Sequence, residues 1–190
     1  MENDRESCKN GYNRRQMLKA SLLTGATLLV PAVPGKASGE EPPMPPEKRP
    51  EHASDQFLRS MNCSQAILET YAPSMGMSTE MARRVAAAFA GGMGMGTECG
   101  AVTGALMVIG LKYGKIEAED SSADKKTFDK VAEFVKHFKA MHGHLGCSEL
   151  LGVDMSTPQG IKEASSKGLF TSHCPKFVYS AGLILDKILA

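Results

Sequence analysis

Four cysteines carry the chemistry that this chain offers. Of the five in the sequence, Cys8 lies in an N-terminal segment that reads as a leader, which leaves Cys63, Cys99, Cys147 and Cys174. A thiolate can bind a soft metal, hold an iron–sulfur cluster, attack a disulfide or pair into one. The spacing excludes several forms of that chemistry. No CxxC occurs, so there is no ferredoxin run, thioredoxin motif or zinc ribbon, and without CxxCH there is no conventional covalent haem attachment. An even cysteine count is also what two disulfides need, and an oxidising compartment favours them. A helical domain of this size hardly needs such staples, so the residues alone leave metal centre and disulfides both open.

Other side chains offer less. His144 and His173 lie near Cys147 and Cys174, which makes a mixed Cys/His zinc site an alternative. His137 and His142 fall on the solvated side and the end of a helix. Met93 and Met95 between glycines could serve a soft ion such as Cu(I), although methionines more commonly fill cores and loops. The glycine run has no strand before it and no Gly-Lys-Ser/Thr after it, so it is not a phosphate loop. No Ser/His/Asp arrangement is evident.

The element that must position this chemistry runs from Gly91 to Gly114, GGMGMGTECGAVTGALMVIGLKYG. It reads as a glycine turn followed by a helix from about Cys99 to Tyr113, with Gly114 as C-terminal cap. Val102, Leu106, Met107, Val108, Ile109 and Leu111 make it apolar all round, which predicts a buried central helix. Gly100 and Gly104 share one face and would admit a close neighbour.

Around it the chain reads as further helices. Asp55 to Met61 presents Phe57, Leu58 and Met61; Asn62 caps Ser64 to Tyr71, which Pro73 and Gly76 close. Ser78 or Thr79 caps a helix carrying Met81, Val85, Ala88 and Phe89 at helical spacing. Lys115 to Ala123 is a polar connection. Asp124 to Met141 sets Phe128, Val131, Phe134, Val135, Phe138 and Met141 on one face, with Lys125, Lys126, Lys130, Lys136 and Lys139 solvating the other. His142 to Gly146 breaks that helix and leads into a short one from Cys147 to Leu151. Thr157-Pro158 opens a helix to about Ser166, and His173-Cys174-Pro175 opens the last, with Phe177, Ala181, Ile184 and Ile188. No segment alternates as a strand does. The fold class expected is all-α, a compact bundle around a buried central helix.

Each of the four cysteines therefore falls at or beside a helix N-terminus, where unpaired N–H groups and partial positive charge favour a thiolate. Four such starts converging would suit an anionic centre, and an iron–sulfur cluster held by four thiolates is one. Gly96 and Gly100 would let backbone approach it.

The N-terminal residues 1–37 read as an export signal. Arg14 and Arg15 precede an apolar residue and Lys19 in the twin-arginine pattern, an apolar region runs from Ala20 to Val33, and Gly35 and Ala37 provide small residues for cleavage after Ala37. That route carries folded proteins, commonly with cofactor in place. Residues 38–53 form a linker whose middle, GEEPPMPPEKRPEHA, holds five prolines. Beyond the signal, 16 basic residues face 18 acidic ones, which gives no basic face for nucleic acid. After cleavage no stable membrane anchor is expected. The helical four-cysteine domain is then 54–190.

NCSQAIL at Cys63, GMGTECGAVTGALMVIGLKYG around Cys99, HGHLGCSELLGVD around Cys147 and CPKFV at Cys174 resemble, in this order, the C_GCAxxG_C_C family. The resemblance spans roughly Gln56 to Leu189. It implies redox activity, with Cys63, Cys99, Cys147 and Cys174 as ligands or redox thiols. A related domain accompanies the haems of split-Soret cytochromes, where an iron–sulfur site is associated with it. One departure is that Glu98 stands before Cys99 and Gly100 after it, where the family name has Gly-Cys-Ala. These features together lead us to expect an exported protein holding an iron–sulfur or other metal centre and passing electrons to a redox partner, more an electron-transfer or accessory protein than a stand-alone enzyme. A metal-free thiol–disulfide protein and a disulfide-stapled interaction module are the alternatives. The expected partners are that redox protein and the twin-arginine export machinery, and the expected location is the periplasm or cell exterior.

Overall fold

The computed structural model describes residues 44–190. The expected leader, with Cys8, Arg14 and Arg15, and most of the proline-rich linker lie outside the described residues. Within them the fold is all-α. Helix α1 spans Arg49–Ser60, α2 Cys63–Tyr71, α3 Thr79–Ala86 and α4 Gly100–Tyr113. They are followed by α5 Ser121–His142, α6 Cys147–Leu151, α7 Pro158–Ser166, the short α8 Leu169–Ser172 and α9 Cys174–Leu189. No described helix is long and apolar enough to cross a membrane.

Local chemistry sets most of the boundaries. The Asn62 side chain accepts from Gln65 N–H at 3.0 Å, Ser78 from Met81 N–H at 3.2 Å and Thr157 from Gly160 N–H at 3.1 Å, so the expected caps form. Asp120 caps α5 by accepting from Ala123 N–H at 2.9 Å, which starts that helix at Ser121 instead of Asp124. The first helix starts at Arg49, not Asp55. Pro50 lies in its first turn, where the missing N–H costs nothing, and both Pro50 and Ala53 are buried. Residues 49–53, which the proline-rich run assigns to a spacer, are thus helix. Helix α8 had no sequence signal that we recognised.

The core forms where α2, α4 and α9 meet, with Ile67, Val102, Val108 and Leu185 essentially inaccessible to solvent. The glycine face of α4 does what its spacing suggests: a Cβ on Gly104 would lie 3.0 Å from Ile67 Cβ and from the Ser64 carbonyl of α2. Side α9 lies against α1, where Gly182 leaves no room for a Cβ beside Pro50. The central helix is not buried all round. It is covered from Gly100 to Ala105 and at Val108 and Ile109, whereas Leu111 is 38% exposed. Its partner α2 starts level with Gly100 and ends at Tyr71, so the last turn of α4 extends past it. Gly114 ends α4 in extended conformation, φ −60° and ψ 141°, not through a left-handed cap.

Two apolar faces are wider than what covers them. On α5 only Phe134 and Phe138 are fully buried, while Phe128 is 69% exposed and Met141 is exposed too; this helix of 22 residues outruns the α4 and α9 surfaces beneath it. On α3 it is Ala82 and Ala86 that face inward, and Met81 and Val85 are exposed. Small residues let α3 sit close to α2, which turns the larger ones outward.

Candidate functional site

All four cysteines start helices. Cys63, Cys147 and Cys174 are the first residues of α2, α6 and α9, and Cys99 is the N-cap of α4. All four are buried, all are free thiols, and all line one cavity of about 350 Å³. Phe57, Leu151 and Phe177 are among its apolar walls, and Gly91 and Gly94 contribute bare backbone.

The loops before Cys99 and Cys147 are fastened to each other by backbone. Cys99 N–H donates to the Leu145 carbonyl at 2.8 Å and Cys147 N–H to the Thr97 carbonyl at 2.6 Å, an isolated antiparallel bridge between Glu98 and Gly146. Two helix starts are thereby held in fixed relation without a strand. Ser148 reinforces them: its hydroxyl donates to the Gly96 carbonyl at 3.0 Å and accepts from Met155 N–H at 3.0 Å. The turn from Gly91 to Gly94 runs through four successive residues of positive φ, one of them Met93 at 58°. That left-handed turn explains why this stretch is glycine-rich.

The two glycines expected to admit a centre have different places. Gly100 lies directly against Cys63, where an added Cβ would be 2.6 Å from the sulfur. Gly96, at φ 71°, packs against Ser148 and Ser156 and does not line the cavity. Gly91 and Gly94 do, which only their membership of the glycine run could have signalled. Met61 and Met155 line it as well, with no signal in the sequence that we can identify. His144 and His173 are exposed and line no part of it; the His173 ring bonds the Ser172 hydroxyl at 2.8 Å. Met93 and Met95 also lie outside its walls. Glu98 joins the bridge through its backbone and its residue is exposed, so this acidic position need not crowd the thiols.

Helix starts alone do not make all four cysteines acidic. The Cys63 thiol is held down to about 7 because Cys99 donates to its sulfur, helped by N–H groups of Gly91, Cys63 itself and Gly100 against the cost of burial. Cys99 is pushed well up by that same bond, then by burial and by charge on Cys63 and Cys147. Burial first, and charge on Cys63 second, push Cys147 and Cys174 up to about 12. For Cys147 and Cys174, desolvation outweighs the helix N-terminus. Without a positive centre they are thiols. Among the described residues no three His, Cys, Asp or Glu side chains gather closely enough to hold one metal ion.

No curated protein and no solved structure matches the chain. The family model described as "Putative redox-active protein (C_GCAxxG_C_C)" matches residues 61–188, a span that contains all four cysteines and every wall of the cavity except Phe57. By that match the chain belongs to the C_GCAxxG_C_C family.

Proposed function

We propose that Cys63, Cys99, Cys147 and Cys174 hold an iron–sulfur cluster and that the protein transfers electrons with it to a redox partner outside the cytoplasm. One observation carries the reading: four thiols from four separate helix starts line a single cavity that has no charged wall. The donor set suits the group, since thiolates are the usual ligands of such clusters. The spread of the four sulfurs supports a polynuclear centre over a single ion, because each ligand of a cluster can sit on its own iron. Bound there, the cluster supplies reversible one-electron transfer.

The chain's own residues then have definite tasks. The backbone of Gly91 and Gly100 helps to hold the Cys63 thiol acidic, which favours negative charge on that ligand. Phe57, Leu151 and Phe177 give the cavity apolar walls. The bridge between Glu98 and Gly146 holds Cys99 and Cys147 in register. Loading requires the thiols to give up their protons, so it is coupled to pH. Export rests on the twin-arginine pattern at Arg14 and Arg15 and the apolar region after it.

The test is an absorbance spectrum with iron and sulfide analysis on protein purified without air. Broad bands reaching into the visible, with iron and sulfide present, are the expected result. Cys99→Ser should lose most of the iron and keep its helical circular dichroism. Protein that stays colourless and free of iron after reconstitution would overturn the reading.

A further inference from the structure

The long helix α5 keeps one stripe that the rest of the described fold leaves open. Ser121, Lys125, Phe128, Ala132, Val135 and Lys139 follow one another at intervals of four and three residues, so they share one side of the helix. Five of them are exposed, Phe128 at 69%, and Val135 is half-buried. Phe134 and Phe138, which fix α5 to the domain, lie outside the stripe. Heptad spacing with Phe128, Ala132 and Val135 at its centre is the pattern of a helix–helix contact.

Size and charge say what fits it. The stripe is symmetric about a point midway between Phe128 and Ala132. A second α5 running the opposite way about that point sets each Phe128 against the Ala132 of the other copy, large against small. It also sets the start of each helix against the end of the other. Glu117, Glu119 and Asp120 stand before the start, and Lys136 and Lys139 lie in the last two turns. Lys125 and Lys130 pair within the helix, with Asp129 and Glu133, whereas Lys136 and Lys139 pair with no described residue. Opposed directions also bring unlike ends of the two helix dipoles together. A parallel pair would place Lys136 and Lys139 against their own copies. The chain has a formal net charge of +1, so two copies repel each other little.

We infer that two copies of this chain associate through α5, antiparallel, about a two-fold axis between Phe128 and Ala132. Such an interface is isologous: the same stripe serves both copies and every contact occurs twice. At about 1.5 Å per residue it runs about 27 Å from Ser121 to Lys139. Its apolar centre is three side chains from each copy, so the dimer is a concentration-dependent one and not an obligate one. It uses none of the four cysteines and does not depend on what they hold.

Sedimentation velocity of the full-length protein over a concentration series tests this. The expected result is an equilibrium between monomer and dimer. Phe128 and Ala132 are exposed, so substituting them leaves the core intact. Phe128→Glu and Ala132→Arg should each weaken the dimer about tenfold or more, with helical circular dichroism unchanged. Lys139→Glu and Glu119→Lys should each weaken it roughly three- to tenfold. The two together should restore it, since the exchanged charges face each other again across the interface. Monomer at every concentration overturns the proposal. So does a dimer that either Phe128→Glu or Ala132→Arg leaves intact, or a charge-exchanged double variant that associates no more tightly than the single ones.

Discussion

Helices α2 and α9 each run from one kind of interior into another. At their starts, Cys63 and Cys174 border a cavity of about 350 Å³. Further along, Tyr71 is wholly buried with its hydroxyl donating to the Gly182 carbonyl at 2.9 Å, and Ile184, Leu185 and Ile188 fill the space. Arg49 secures that end by lying over the Tyr71 ring at 5.4 Å and pairing with Asp186 at 3.6 Å. The same sequence thus closes one end with large side chains and leaves a cavity between aromatic walls at the other, and all four thiols stand at the end that the large side chains do not fill.

The sharpest way to break the comparison uses two glycines of α4. A Cβ on Gly100 would meet Cys63 Sγ at 2.6 Å, Ala90 Cα at 2.9 Å and Ser64 N at 3.0 Å. Two of those three are backbone and cannot rotate aside. Gly100→Ala should therefore cost about 2–3 kcal/mol in urea unfolding and push the Cys63 sulfur from its place. Gly110 lies in the same helix with nothing within 4 Å of its Cβ position, so Gly110→Ala should add roughly 0.5–1 kcal/mol. Similar effects at both positions would show that the cysteine end is not closely packed around Gly100.

A smaller effect is expected at the filled end. Tyr71→Phe keeps the ring and removes the buried hydrogen bond to the Gly182 carbonyl, which should cost about 1 kcal/mol. Iron content should be unchanged. A change in it would mean that the two ends are coupled.

Most of this architecture was legible because it is local. Asn62, Ser78 and Thr157 each sit in the cap position their side chains favour, and α4 could be read from its apolar run and flanking glycines. What escaped was set by partners far away in sequence. The exposure of Phe128, Met81 and Val85 depends on how far α4, α9 and α2 extend beneath them, which no helical period encodes. The four helix-start cysteines were readable, but their unequal acidity was not, because it follows from burial and from the contact between Cys63 and Cys99. The bridge between Glu98 and Gly146 joins two loops through main chain alone, so side-chain identity carried no trace of it.

The smallest effect tests the seam between the two ends. The His142 ring lies 4.7 Å from that of Phe138 in the filled core and 5.0 Å from that of Phe177 on the cavity wall. Sequence position suggested a solvated helix end, yet its Nε2 is buried and has no hydrogen-bond partner. Burial lowers its pKa from the usual 6.5. A base whose folded pKa is depressed adds stability that is present above 6.5 and is lost as pH falls through the lower folded value. His142→Phe preserves an aromatic ring between its two neighbours and removes both the stranded nitrogen and the titration. The variant should gain about 1 kcal/mol near neutral pH, and its stability should fall less than that of the unmutated protein between about pH 7 and pH 5. Parallel pH profiles would show that His142 reaches water freely in both protonation states. The seam would then be loose enough for solvent to enter beside Phe177, and the aromatic wall that separates the two ends would have to be redrawn.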